Sequence, residues 1–384
     1  MMRWKAAAAF LATLLCAASS ARAGIRFGFF SAGLNDGITD VAGVRVAHLT
    51  KIEGTTVRTG ATVVLSGSDP WNQKVSAATE ALNGNGEMTG TAWINEAGYL
   101  ETPIVLTDTL DVGRADDGVI SYMMQRYPQI GLKDDVPLPV VAECDDGALN
   151  DIRGRHVSAS EIADLIGRAV PGQFARGSVG AGTGMIAFGF KAGIGSASRV
   201  LPKEAGGFSV GVLVNDNTGS APRRLLRIDG VHVGEKLKDR YLPLHAMAPS
   251  ATRSGRQSDG SIIVVIATDA PLDSRQLHAI ARRAELGMGR VGLTSQASSG
   301  DLLLAFSTTY VYRRDADFNV LAPRAPILQN DRAINALYQA TAEATEAAIY
   351  DALFSSKTMA GRDGLTVFGL PVEEVRTMLA PPAR

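Results

Sequence analysis

An α/β or α+β layered fold is predicted for this chain of 384 residues, on two observations. Strand-like apolar runs alternate with helical patterns along its whole length, as layered folds require. No Pro/Ser-rich linker, low-complexity tract or internal repeat divides it, so the length fits one large domain or two intimate ones. Strands are expected at Gly60 to Leu65, Pro103 to Thr107, Pro139 to Glu143, Phe208 to Val214, Ser261 to Thr268 and Asp301 to Tyr312. A capping box, Ser158-Ala-Ser-Glu161, opens a helix expected to run through Ala169. Leu277, Ile280, Ala281, Ala284 and Met288 make one apolar helical stripe after Asp273. A longer helix is expected from about Asp331 to Phe354, with Ile334, Leu337, Thr341, Ala344 and Ala348 on one face. Residues 250–260 are the most polar and glycine-rich stretch, which predicts an exposed or mobile segment.

The N-terminus reads as a secretory signal peptide. Arg3 and Lys5 precede an apolar stretch from Ala6 to about Ala18, and Ala21-Arg22-Ala23 follows with small residues at the cleavage spacing. The stretch is shorter than the roughly 20 apolar residues of a spanning helix. Cys16 follows Leu15 where a lipid anchor would want a small residue, so residues 1–23 are expected to be removed and the rest to be periplasmic or secreted, without a membrane partner. Removal takes away Arg3, Lys5 and Arg22, leaving 35 basic against 39 acidic residues and a net charge of −4. With no basic patch, nucleic acid is not an expected partner. Cys144 becomes the only thiol, which excludes an intrachain disulfide and leaves stability to a large core.

Three familiar signatures fail on inspection. Gly207-Phe-Ser209-Val-Gly211 has the spacing of a nucleophile elbow, but a turn precedes Ser209 and a strand follows, the reverse of what the elbow needs. Gly180-Ala-Gly182-Thr-Gly184-Met185 lacks the third glycine of a dinucleotide fingerprint, and Phe190 stands where a phosphate loop requires lysine. His48, His156, His232, His245 and His278 are scattered without metal-ligand spacing, so neither a metal nor another cofactor is expected.

The informative passage is Asp259-Gly260-Ser261-Ile-Ile-Val-Val-Ile-Ala-Thr-Asp269. A bare turn hands a hydroxyl to the first residue of a strand, with no side chain guarding the preceding carbonyl. Serine Oγ can attack that carbonyl and convert the amide to an ester. Water then splits the ester and leaves Ser261 with a free α-amine beside its hydroxyl. Such an amine titrates near 7.7–8.0 and is a known base for hydroxyl nucleophiles. Taken alone, the same residues also describe a plain turn entering a buried strand.

Other passages, in order along the chain, add weight. They are Asn35-Asp36-Gly-Ile-Thr-Asp-Val-Ala-Gly-Val-Arg-Val, Asn83-Gly-Asn-Gly-Glu-Met-Thr-Gly90, Glu143-Cys-Asp-Asp-Gly147 with Leu149-Asn150-Asp151, Gly182-Thr-Gly-Met-Ile-Ala, Val214-Asn-Asp-Asn-Thr-Gly219, Gly260 to Leu272, and Ser299-Gly-Asp-Leu-Leu-Leu-Ala-Phe-Ser-Thr308. Together they resemble the self-cleaving β-aminopeptidase family, the L-aminopeptidase/D-esterases of DmpA/BapA type, which are N-terminal serine hydrolases. The resemblance covers nearly the whole mature chain. It implies a four-layer α-β-β-α sandwich of the DmpA/ornithine-acetyltransferase-like type, cut between Gly260 and Ser261 into chains 24–260 and 261–384 and assembled as a homotetramer of processed pairs. It further implies Ser261 as nucleophile, Ser299 hydrogen-bonded to it, Asp301 orienting the pair, Asn217 as an oxyanion donor and Glu143 as the carboxylate that holds a substrate ammonium. The expected substrates are short peptides, amides or esters with β-, L- or D-amino N-termini. The general base is left open between the Ser261 amine and Ser299.

Two departures bear on specificity. Asp145 stands where the family pattern has an aromatic residue, and Asp108-Thr-Leu-Asp111 replaces an Asn-Thr-His-Ser pattern. If Asp145 faces the substrate amine beside Glu143, cationic substrates are favoured. If it turns to solvent or pairs with an arginine such as Arg153, specificity is unaffected. Two other functions fit the sequence: an ornithine-acetyltransferase-like acyl transferase, whose nucleophile is usually threonine, and a secreted, uncut small-ligand-binding protein.

Overall fold

The computed structural model describes residues 27–219, 221–245, 260–323 and 329–380. The expected signal peptide, Cys16 and most of the polar segment 250–260 lie outside the described residues.

Nine strands and four helices carry the architecture. The strands are β1 (Arg45–Glu53), β2 (Val57–Leu65), β3 (Gln73–Gly84), β4 (Ile104–Thr107), β5 (Val140–Glu143), β6 (Ile194–Val200), β7 (Ser209–Asn217), β8 (Ser261–Thr268) and β9 (Gly300–Arg314). The helices are α1 (Val112–Arg126), α2 (Ala159–Ile166), α3 (Ser274–Val291) and α4 (Asp331–Ser355). One sheet has the order β1-β2-β4-β5. The other runs β3-β9-β8-β7-β6, with the short strand Tyr99–Leu100 beyond β3. Most neighbours are antiparallel, but β4 with β5 and β8 with β9 are parallel. Parallel neighbours need a crossover connection, and α1 and α3 supply them.

Three buried layers separate four layers of structure. Val63, Val105, Val119, Met123 and Ile162 pack α1 and α2 onto the first sheet. Val64, Leu106, Ile263, Val265 and Leu304 fill the space between the sheets. Val212, Ile262, Val264, Leu277 and Ile280 belong to the core that α3 and α4 share with the second sheet. The sandwich is therefore α-β-β-α. Strand β8 is buried at every residue because both of its faces are covered, which explains its unbroken apolar run.

Local signals account for the helix starts. The Asp273 carboxylate accepts from Gln276 N, and Gln276 returns the bond, opening α3. Ser158 and Glu161 make the same box for α2. That helix ends at Ile166 rather than Ala169. The chain tightens through bonds from Arg168 N and Ala169 N so that Val170 can pair with Val46. Strands β1, β3 and β6 and helix α1 were not anticipated. In β3, Ser76-Ala-Ala-Thr-Glu-Ala81 has the composition of a helix, yet pairing with β9 holds it extended. Among the described residues no helix is long and apolar enough to cross a membrane.

The small residues of β6 let α4 lie directly on the sheet. A Cβ on Gly195 would stand 1.9 Å from the Ala348 carbonyl oxygen and 2.6 Å from Ala352 N. Gly195→Ala should therefore lower unfolding free energy by about 1–3 kcal/mol through overpacking. Urea denaturation checks this, and an unchanged midpoint would show that α4 yields freely.

Candidate active site

Three strand ends meet at one point of the second sheet. Ser261, the first residue of β8, pairs with Asn217, the last residue of β7. On its other side Ser261 pairs with Gly300, the first residue of β9. Side chains alternate along strands, so Ser261 and Asn217 share the face toward the first sheet, whereas Asp301, opposite Ile262, shares the face toward the helices.

Asn217 is held from three directions. Its Oδ1 accepts from Ile186 N at 3.0 Å, which fixes the orientation of the amide. Its Nδ2 donates to the Asp145 carbonyl at 2.8 Å and reaches Ser261 Oγ at 3.4 Å. The loop that delivers Ile186 is anchored by Lys191, whose buried Nζ donates to the carbonyls of Gly182, Met185 and Ala192. Burial pushes the Lys191 ammonium down to about 7.

Ser299 Oγ donates to Asp301 Oδ1 at 2.7 Å, while Asp301 Oδ2 accepts from Asn83 Nδ2 at 3.2 Å. Ser299 thus engages Asp301 rather than the Ser261 hydroxyl. The link between the two serines runs through the backbone, where Gly300 N donates to the Gly260 carbonyl at 3.1 Å. Gly300 has to be glycine here. A Cβ on it would lie 2.4 Å from the Asn85 carbonyl oxygen. Ser261, Ser299, Asp301 and Asn217 are all buried, and a small cleft lined by Thr218, Leu293, Ser295 and Gln296 adjoins Ser299 and Asp301.

Glu143 ends β5 and is buried beside this point. Its carboxylate accepts from Glu87 N at 3.0 Å and from the Thr109 hydroxyl. Gly86 lies between Glu143 and Gly300, close to both. Burial pushes the Glu143 pKa up; the two hydrogen bonds oppose the shift, and the Asp145 charge adds to it. Asp145 does not present its carboxylate in the same way. Its Oδ1 closes a turn by accepting from Gly147 N at 2.8 Å, and its backbone carbonyl meets Asn217. Asp108 and Asp111 are structural: Asp108 caps the turn at Leu110 and Asp111, and Asp111 accepts from Val157 N. Of that passage, only Thr109 reaches Glu143.

Sequence reasoning left Gly300, Asn83, Glu87 and Thr109 without roles, although all four lie in passages it had singled out. Ser209 starts β7, with its N–H donated to Asp269 and its carbonyl accepting from Thr268, as an ordinary strand residue does. Cys144 is free and buried, and burial raises its thiol pKa. No group of three or more potential metal ligands occurs among the described residues.

The site combines a buried hydroxyl next to an oriented amide donor, a backbone N–H on the preceding carbonyl, and a buried carboxylate close by. A hydroxyl so placed beside an amide donor is an arrangement that acyl transfer can use. Comparison with known proteins relates the chain to aminopeptidases. The chain is 40% identical over 359 residues to the β-peptidyl aminopeptidase BapA of Sphingosinicella microcystinivorans, covering 90% of this chain and 88% of that protein. Its structure is similar to a Burkholderia sp. β-aminopeptidase, with a TM-score of 0.82, 39% identity and coverage of 94% of this chain and 100% of that one. It is also similar to the L-aminopeptidase D-Ala-esterase/amidase of Ochrobactrum anthropi, described as a variant of the Ntn hydrolase fold, with a TM-score of 0.79, 37% identity and coverage of 92% and 96%. The model of peptidase family S58 matches residues 36–367. The chain therefore belongs to peptidase family S58, the β-aminopeptidase family that its motifs resemble, and has the fold of the N-terminal nucleophile hydrolases.

Proposed function

We propose that this peptidase is a periplasmic N-terminal-serine aminopeptidase that activates itself by cutting between Gly260 and Ser261. The observation that carries the reading is the placement of the Gly260 carbonyl, which accepts from Gly300 N at 3.1 Å while the following hydroxyl lies under Asn217 Nδ2. Ser261 Oγ attacks the Gly260 carbonyl carbon, the C–N bond breaks, and the nitrogen takes the hydroxyl proton. Water then hydrolyses the ester, returning the hydroxyl to Ser261 and leaving a carboxylate on Gly260.

In the processed enzyme Ser261 Oγ attacks the carbonyl of a substrate's first residue, and its own α-amine takes the proton. Gly300 N–H and Asn217 Nδ2 face the oxygen that becomes negative. The α-amine is the better base because its ordinary pKa lies near working pH, whereas Ser299 already donates to Asp301. Protonation of the leaving amine releases the product, and water frees the acyl group. Glu143 holds the substrate's free ammonium. A carboxylate whose pKa burial has raised gains from a cation beside it. The substrates are short peptides, amides or esters with β-, L- or D-amino N-termini, and rates on β-alanyl, L-alanyl and D-alanyl amides rank these classes.

Purified protein should run as two chains on a denaturing gel, with masses of residues 24–260 and 261–384, and Ser261→Ala should run as one inactive chain. A small fragment beginning at any residue other than Ser261 would overturn the assignment.

Asn217→Ala should lower kcat by roughly 10²–10³ with little change in KM, because an oxyanion donor acts mainly on the transition state. A change confined to KM would assign Asn217 to ground-state binding instead.

Cell fractionation should recover the protein in the periplasm, cut after Ala23. Cytoplasmic protein with Met1 intact would contradict secretion.

A further inference from the structure

Asp216 is a fully buried carboxylate that the chemistry described so far does not use. Its Oδ1 accepts from Thr218 N at 3.2 Å and from Thr218 Oγ1 at 2.8 Å. Its Oδ2 has no hydrogen-bond partner among the described residues. Asp216 on β7 and Asp301 on β9 are both register partners of Ile262, so the two carboxylates flank β8 on its helix-covered face, one residue in from Ser261. Among the described residues neither has a Lys or Arg partner. Asp301 is nevertheless satisfied, by Ser299 and Asn83. Asp216 is short of one donor.

The geometry of the cut supplies one. The Gly260 carbonyl points to β9, where Gly300 N donates to it. In a trans peptide the N–H points the opposite way, so Ser261 N faces β7 at Asn217, the residue next to Asp216. We propose that Asp216 is the counter-charge of the α-ammonium that self-cleavage creates on Ser261, a positioning residue that holds this amine for its work as base. The proposal rests on the self-cleavage reading above.

The surrounding charges agree. Burial, with the Asp301 charge added, pushes Asp216 up to about 7 in the uncut chain. Glu143 and the Cys144 thiol lie on the side toward the first sheet and bring no positive charge. Lys191 gives its ammonium to three carbonyls. On α4, the helix packed against β7, Asp351 is paired with Arg176, Glu343 with Arg199 and Glu346 with Arg290. The buried face of α3 offers Gln276 and apolar or small residues. One new cation at Ser261 N therefore meets a carboxylate that lacks one.

An opposite charge raises an amine's pKa, and the amine must be neutral to act as base. Removing the carboxylate should thus shift the acidic limb of kcat/KM to lower pH. Asp216→Asn keeps an Oδ1 acceptor for Thr218 and replaces the charged Oδ2 with an uncharged amide NH2. After mass spectrometry has verified both fragments, its limb should lie about 1–2 pH units below that of the wild type, with KM little changed. A processed Asp216→Asn enzyme with an unshifted limb would overturn the proposal. So would a folded variant that stays uncut, since Asp216 would then act before the amine exists. If Asp216→Asn does not fold, Asp216→Ser takes its place: a processed variant whose limb falls by about 1–2 pH units supports the counter-charge, and an unshifted limb overturns it. A wild-type chain that itself stays uncut removes the self-cleavage reading, a failure that the fragment masses separate from the others.

Discussion

The register of β8 between β7 and β9 is the constraint on which the rest of the site depends. With Ser261 opposite both Asn217 and Gly300, the hydroxyl faces the first sheet beside an amide donor, and the preceding carbonyl receives a backbone N–H. A slip of one residue would put Ile262 in that position and turn every core residue of β8 to the wrong face. Burial on both faces makes such a slip costly. Ile263 and Val265 belong to the core between the sheets, and Ile262 and Val264 to the core beneath the helices. The same apolar packing that stabilises the sheet therefore sets the Ser261 hydroxyl beside Asn217.

Close approach is the second requirement. Gly300 and Gly86 lie almost in contact, and an added Cβ on Gly86 would stand 3.2 Å from Glu143 Oε1 and 3.3 Å from Gly300 Cα. Side chains at these places would separate the carboxylate from the serine strand. Glycine brings β5 of one sheet to the strand ends of the other. Hydrogen bonds tie down the loops around these glycines: Asn83 reaches Asp301, Glu87 N reaches Glu143, and Asn85 reaches the Ser298 carbonyl.

Electrostatically, the site is a buried acidic region with few fixed cations. Glu143, Asp216, Asp108 and Asp146 all have raised pKa values, with burial as the first cause. Buried carboxylates of this kind await a positive partner or hold a proton. A substrate ammonium at Glu143 and a new N-terminus near Asp216 are the two cations that the proposed chemistry would bring. Asp145 plays a different part from the one its place in the sequence suggests, because its carboxylate closes a turn while its carbonyl steadies Asn217.

Local patterns in the sequence determined a good deal of this protein. Capping boxes marked the starts of α2 and α3, and continuous apolar runs marked β5 and β8, because caps and periodicity act within a few residues. The layered class followed from their alternation, whereas the four-layer sandwich and the candidate residues Ser261, Ser299, Asp301, Asn217 and Glu143 came from resemblance to a family. Tertiary structure alone decided the rest. It held the alanine-rich β3 extended against β9, ended α2 early to pair Val170 with Val46, and set Asp145 into its turn. It also gave Gly300, Asn83, Thr109 and Asp216 their places. Asn217 and Ser261 are 44 residues apart and Asn83 and Asp301 are 218 apart, so no local pattern records their meeting. Such pairs form only when burial of both faces fixes the strand register, and burial is also what makes a carboxylate such as Asp216 need a charge.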